Sequence, residues 1–383
     1  MNAKLWTHRI AVSAFFFVNG FLYGSWAARV PALLTYFDIN KTSMGFLLLV
    51  MAAGALVSMP FSGWLTLRYG TRNITIATGL AFCVFVSQML IFPDSRLAAG
   101  IFFLIGLSSG ALDVAMNAQA ILVEREWGKS IMSSFHAIFS VGMAAAGGVA
   151  YLFVQAETSL GYHLLVVSIV GFAFLIWAGM NLIKDEPAIQ GEEESHFRLP
   201  TKAILPLGII AFCGMSGESS MADWSAIFMN TVAQVDEAFS TLAATSFGVA
   251  MTAGRFLGDP ITDRFGRRNV LLIDSVLSVF GLALLIVFAG PYISLLGIFL
   301  VGLGLSTVVP IVYSAAGNAP GVAPGVGIAM ATTVGYSGFF VGPPLIGFLA
   351  DTIGLRLAFV YTLILFVIML ALVWRFIRPS SQE

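Results

Sequence analysis

Hydrophobic residues run along this chain in long blocks separated by short polar punctuation. The blocks lie near residues 10–36, 43–67, 74–93, 97–123, 131–155 and 161–183. A second set lies near 203–230, 238–261, 269–289, 292–316, 324–350 and 356–377. One helical crossing of a bilayer needs about 20 mostly apolar residues. In lipid, only helices and closed barrels satisfy every backbone N–H and C=O. Blocks this long and continuous predict helices, so the pattern predicts an all-α membrane protein with twelve transmembrane helices. Met1 to Arg9 are polar and lead straight into the first block without a small-residue cleavage site. They predict a first membrane helix rather than a removed leader.

Composition agrees. Of 383 residues, 58% are hydrophobic and 10% charged, with a mean hydropathy of +0.92. A soluble domain carries about 25% charged residues, so a lipid bilayer is the implied surroundings. The net charge of −1 says little, but its placement says more. With the N-terminus inside, inner loops and termini hold fourteen Lys and Arg residues and outer loops hold three, Lys41, Arg96 and Arg356. That bias predicts both termini in the cytoplasm, and with it a multi-pass protein of a bacterial-type inner membrane. Cys83 and Cys213 sit inside apolar blocks and read as small buried hydrophobes.

The polar stretch 185–202, with Glu192, Glu193 and Glu194, reads as a cytoplasmic linker. It divides the chain into six-helix bundles at 1–184 and 203–383. The halves look duplicated. Arg68 to Asn73 (RYGTRN) follows the second block and Arg264 to Asn269 (RFGRRN) follows the eighth, an offset of 196 residues. Trp26 and Trp224 repeat at an offset of 198. Two matches at nearly one period indicate an internal repeat.

An ionisable residue inside a span costs roughly 2.5–3.5 kcal/mol on insertion scales and marks a functional candidate. In the fourth span, Asp113, Asn117, Ala120 and Glu124 share one helical face. Gly106 and Gly110 extend that face, leaving room for a close neighbour or a cavity. Asp113 lies ~16 Å from the inner end near Glu124, about mid-bilayer. Desolvation penalises a charged carboxylate there, which suits a group that binds and releases a proton. A helix-packing hydrogen bond is the competing role, and Glu124 reads as an interfacial charge. His136 and Glu218 are further proton-coupling candidates. Asn19, Asn117, Trp26, Trp224 and Tyr336 are candidates for contact with a hydroxylated solute; for the two tryptophans, interfacial anchoring competes. Arg255 and Asp259, at i and i+4, predict a structural charge pair. Pro310, Pro343 and Pro344 predict interruptions of the tenth and eleventh spans.

The segment Gly258 to Arg268 (GDPITDRFGRR) resembles the loop motif of the major facilitator superfamily. The copy at Gly63 to Arg72 is degraded, with Leu67 where the motif carries an acid. Trp26 to Pro31, Asp113 to Gln119, Ser134 to Ala137 and Ala222 to Ser225 resemble the sugar and rhizopine permease branch, related to fucose permeases. The resemblance implies a major facilitator fold of two six-helix pseudo-repeats. It implies that Asp259, Asp263, Arg264 and Arg268 hold the inner side together when the carrier opens outward. It also brings the first and seventh spans together at an outer gate, where Arg29 would pair with Asp223 or Glu218.

The expected function is proton-driven transport of a small polar solute, such as a sugar, polyol or sugar derivative, by alternating access. A drug or metabolite exporter of the same fold is the alternative, and a non-transporting sensor stands further off. The chain has no phosphate-binding GxxxxGK[ST] loop, no metal-ligand cluster and no nucleophile elbow. The expectation is therefore no enzyme, no cofactor, no metal and no nucleic-acid partner, in a chain that works as a monomer.

Overall fold

The computed structural model describes residues 3–128, 131–185, 201, 204–317, 319 and 324–377. Most of the expected linker, and Lys129, Arg198, Lys202 and Arg378, lie outside the described residues. The described residues form helices and short connections, with no strand among them. The first half holds α1 (Ala3–Ala27), α2 (Val30–Phe37), α3 (Lys41–Tyr69), α4 (Thr71–Ser87), α5 (Ser95–Trp127), α6 (Met132–Gln155) and α7 (Leu160–Met180). The second holds α8 (Leu205–Thr231), α9 (Glu237–Phe265), α10 (Arg267–Phe288), α11 (Pro291–Leu305), α12 (Val308–Gly317), α13 (Pro324–Ile353) and α14 (Leu355–Phe376).

These fourteen helices make twelve spans, because α1/α2 and α11/α12 are each one span broken once. Both breaks trace to proline. Pro31 occupies the first turn of α2, where its missing N–H costs nothing. Pro310 lacks an N–H and crowds the carbonyl four residues back; that residue is Ser306, the C-cap of α11, and α12 resumes after Thr307. Pro343 and Pro344 do not interrupt their span, contrary to the sequence expectation: α13 runs unbroken through both. Nine described helical stretches are long and apolar enough to cross a bilayer on composition alone. Neither α8 nor α9 is among them; they carry Glu218, Asp223 and Arg255.

The chain clusters into two compact units, Met1–Ile39 with Phe46–Glu193, and Asn40–Gly45 with Glu194–Glu383. Each repeats the same neighbour pattern. The opening span packs on the fifth and sixth: α1 on α6 and α7, α8 on α13 and α14. The third packs on the fourth and sixth: α4 on α5 and α7, α10 on α11 and α14. The duplicated loop has the same backbone in both copies, with Gly70 at φ 81°, ψ 146° and Gly266 at φ 78°, ψ 150°. A side chain rarely adopts positive φ, which accounts for glycine at both turns. The asparagine three residues on also repeats its role. Asn73 donates to the Tyr69 carbonyl at 3.0 Å, and Asn269 to the Phe265 carbonyl at 3.0 Å.

Within the first unit, Gly106 settles the choice between a cavity and a close neighbour. A Cβ there would collide with the Met51 carbonyl, so α5 lies backbone to backbone against α3. Ser62 adds a hydrogen bond to the Ala111 carbonyl at 2.8 Å. At the basic end, the Arg9 guanidinium lies 4.5 Å from the Trp127 ring, and Trp6 meets that ring edge-on at 4.8 Å. Large apolar side chains such as Ile169, Val170, Phe280 and Val287 stay exposed, as lipid-facing positions require.

Candidate functional site

The first unit gathers its polar candidates on α1, α5 and α6. Asn117 donates to its own helix, to the Asp113 carbonyl at 2.8 Å and to Asp113 Oδ1 at 3.2 Å. This Asp113–Asn117 bond therefore joins no neighbouring helix. Both residues are half-buried. Between them on α5 lies Met116, whose sulfur receives the amide of buried Asn19 from α1 at 3.9 Å. One turn earlier on α1, Phe16 meets the ring of half-buried His136 edge-on at 5.3 Å and stacks on Phe135 at 5.5 Å. Asn19, Asp113, Asn117 and His136 are thus set on three mutually packed helices by side chains that themselves touch.

Further along α1, Trp26 is fully buried and meets Tyr23 edge-on at 4.9 Å. Arg29 occupies the break between α1 and α2, also buried. Glu124 caps the start of α6, accepting from the N–H groups of Ile131 and Met132 at 2.7 and 2.9 Å. The sequence showed it as an interfacial charge and not as a cap.

The second unit builds its candidates on α8, α9 and α13. Arg255 reaches from α9 to Glu218 on α8, with 3.3 Å between Nη2 and Oε1. The sequence also paired Arg255 with Asp259, whose side chain lies outside the described residues. Asp223 and Trp224 are buried on α8. Tyr336 on α13 is half-buried, its ring 5.9 Å from that of Phe339. Tyr313 of α12 donates to the sulfur of Met215 on α8 at 3.6 Å. The indole N–H groups of Trp26 and Trp224 have no hydrogen-bond partner among the described residues, and neither ring has an open face.

The loop-motif residues divide. Asp263 and Arg264 are exposed, and Arg264 lies 5.5 Å from the Phe265 ring. Arg268 donates to the Trp374 carbonyl of α14 at 3.3 Å.

Three polar residues carry contacts that the sequence did not reveal. Gln119, fully buried, donates to Thr71 Oγ1 at 2.7 Å and to the Ile183 carbonyl at 2.9 Å. Asp185 accepts from the N–H groups of Thr71 and Arg72 at 2.6 and 3.2 Å, capping α4. Asp274 sits buried in α10. The signal for Asp274 was present: it is the lone acid in the 269–289 apolar block. Among the described residues no group of three or more His, Cys, Asp or Glu could hold a metal ion.

Comparison with known proteins places this arrangement. The model of the Major Facilitator Superfamily matches residues 12–316 and 207–383. An uncharacterised MFS-type transporter of Yersinia pestis is 33% identical over 358 residues, covering 92% of this chain and 91% of its own. A glucose/galactose transporter of Brucella abortus is 24% identical over 381 residues, covering 92% and 90%. Among solved structures, a D323A variant of the nucleoside transporter NupG superposes with a TM-score of 0.76 at 13% identity, covering 98% of this chain and 100% of that one.

Proposed function

Because the chain belongs to the major facilitator superfamily of transporters, we propose that it carries a small hydroxylated solute, a sugar or polyol, driven by a proton gradient. The observation that carries this reading is the Asp113–Asn117 pair, half-buried in the fourth span and bonded within its own helix. An ionisable group within a span is costly and so marks a functional candidate; this one binds the transported proton. His136 or Glu218 is the further protonation candidate. Asn19, Asn117 and Tyr336 supply amide and hydroxyl groups that match solute hydroxyls. The buried indole N–H groups of Trp26 and Trp224 are donors that a hydroxyl would satisfy once the rings are uncovered.

Transport proceeds by alternating access, as in carriers of repeated architecture. Arg29 and Asp223 are the charges assigned to the outer gate, and Asp263, Arg264 and Arg268 to the inner one. Both termini face the cytoplasm of a bacterial inner membrane. The kinship with a sugar transporter at 24% identity supports the solute class.

A thermal-shift screen of sugars and polyols on the purified chain tests this reading. A stabilising solute should bind with a pH-dependent affinity in the wild type and a flat one in Asp113→Asn. An unchanged pH dependence in Asp113→Asn removes that residue from coupling.

A further inference from the structure

Asp274 lies seven residues into α10, ~10 Å along the helix from its start. It is 6% exposed. Its Oδ2 accepts a short hydrogen bond from Thr307 Oγ1, itself 7% exposed. Thr307 stands at the break between α11 and α12, where Pro310 has removed a helical bond. The carboxyl group therefore grips the one irregular turn of the tenth span.

No described basic group pairs with it. Of the elements packed on α10, α11 offers only Tyr292, exposed in its first turn, and α12 only Tyr313, whose hydroxyl is on Met215. On α14, Arg356 donates to the carbonyls of Ile286 and Val287 at the far end of α10, Arg375 lies over Phe376, and Tyr361 is a neutral phenol. On α9, Arg255 lies 3.3 Å from Glu218, and Asp263 and Arg264 are exposed; Glu237 opens the helix at its other end. On α10 itself, Arg267 opens the helix seven residues before Asp274 without pairing with it, and Arg268 donates to the Trp374 carbonyl. With one hydroxyl donor and no cation, the ionised carboxylate is only partly compensated for its desolvation.

We propose that Asp274 is a second proton-binding site, placed at the break of the tenth span. Ionised, the carboxylate accepts from Thr307. Protonated, the new O–H donates to the threonine oxygen or to a carbonyl freed by the break. Proton binding thus changes the bond that ties α10 to α11 and α12. This rests on the proton-coupled reading and adds to the second unit a site separate from Glu218, which pairs with Arg255.

Infrared difference spectra of the full-length protein in nanodiscs, between acid and alkaline buffer, read the proton directly and need no flux. The wild type should lose one protonated-carboxyl band that Asp274→Asn never shows. Identical difference spectra in the two proteins overturn the proposal. Should Asp274→Asn fail to fold, Thr307→Val keeps the acid and should shift that same band by removing its partner; an unshifted spectrum overturns the proposal equally. Because no solute is involved, failure here leaves the Asp113 reading standing, and failure of Asp113 coupling leaves this one standing.

Discussion

The Glu218–Arg255 pair lends itself to a quantitative test. Its charged atoms are 3.3 Å apart, with the Arg255 and Glu218 side chains 13% and 17% exposed. At an effective dielectric near 20, that separation corresponds to a gross attraction of ~5 kcal/mol. Desolvation of both groups cancels most of this, so the net value of the pair is small. Removing one partner is different, since it strands the other charge at a cost of about 3–5 kcal/mol in a buried site. Partial exposure puts each single variant, Glu218→Gln or Arg255→Met, at the lower end, about 2–3 kcal/mol. The double variant leaves neither charge of this pair stranded and should lose clearly less than the two singles summed. Reversible denaturant titration in mixed micelles on all four proteins gives the cycle. Independent sites add within about 0.5 kcal/mol. A double variant that loses the sum of the singles, within that margin, would refute the pairing.

Other substitutions probe packing and turns. Gly106→Ala should destabilise by more than 1 kcal/mol, since its Cβ meets the Met51 carbonyl, whereas Gly100→Ala, with open space around it, should leave the midpoint unchanged or raise it slightly. Asp185→Ala removes the α4 cap and should cost about 0.5–2 kcal/mol in the same titration. Gly266→Val places a branched residue at φ 78° and should cost roughly 1–2 kcal/mol or more, with Gly266→Asn milder; equal effects from the two would remove the backbone explanation.

Much of the fold was legible because lipid leaves the backbone few options. Twelve apolar blocks became twelve spans, and the repeated RYGTRN and RFGRRN segments became turns with matching backbone angles at Gly70 and Gly266. The breaks were only half legible. Proline acts on the carbonyl four residues back, so Pro310 opened its span at Ser306, while Pro343 and Pro344 left α13 continuous. Whether a helix absorbs a proline depends on its neighbours, which spacing does not report.

The candidate site divides the same way. Asp113 and Asn117 share a face by periodicity, and they meet. The same rule offered Arg255 only Asp259, on its own helix, and its long side chain also reaches Glu218 on another helix. Periodicity describes one helix and is silent about which acid a neighbouring helix presents. Gln119 and Asp185 were invisible for a related reason: their partners, in α4 and in the segment after α7, lie far away in sequence.

The central claim is that a proton carried by Asp113 draws a hydroxylated solute across the membrane. Proteoliposomes loaded with the solute found by thermal shift, at equal concentration on both sides, test it directly once a proton gradient is imposed. The account expects the solute to accumulate on the alkaline side, and accumulation to vanish with a protonophore or in Asp113→Asn. Movement of solute toward the acidic side, or accumulation that survives in Asp113→Asn, would contradict it.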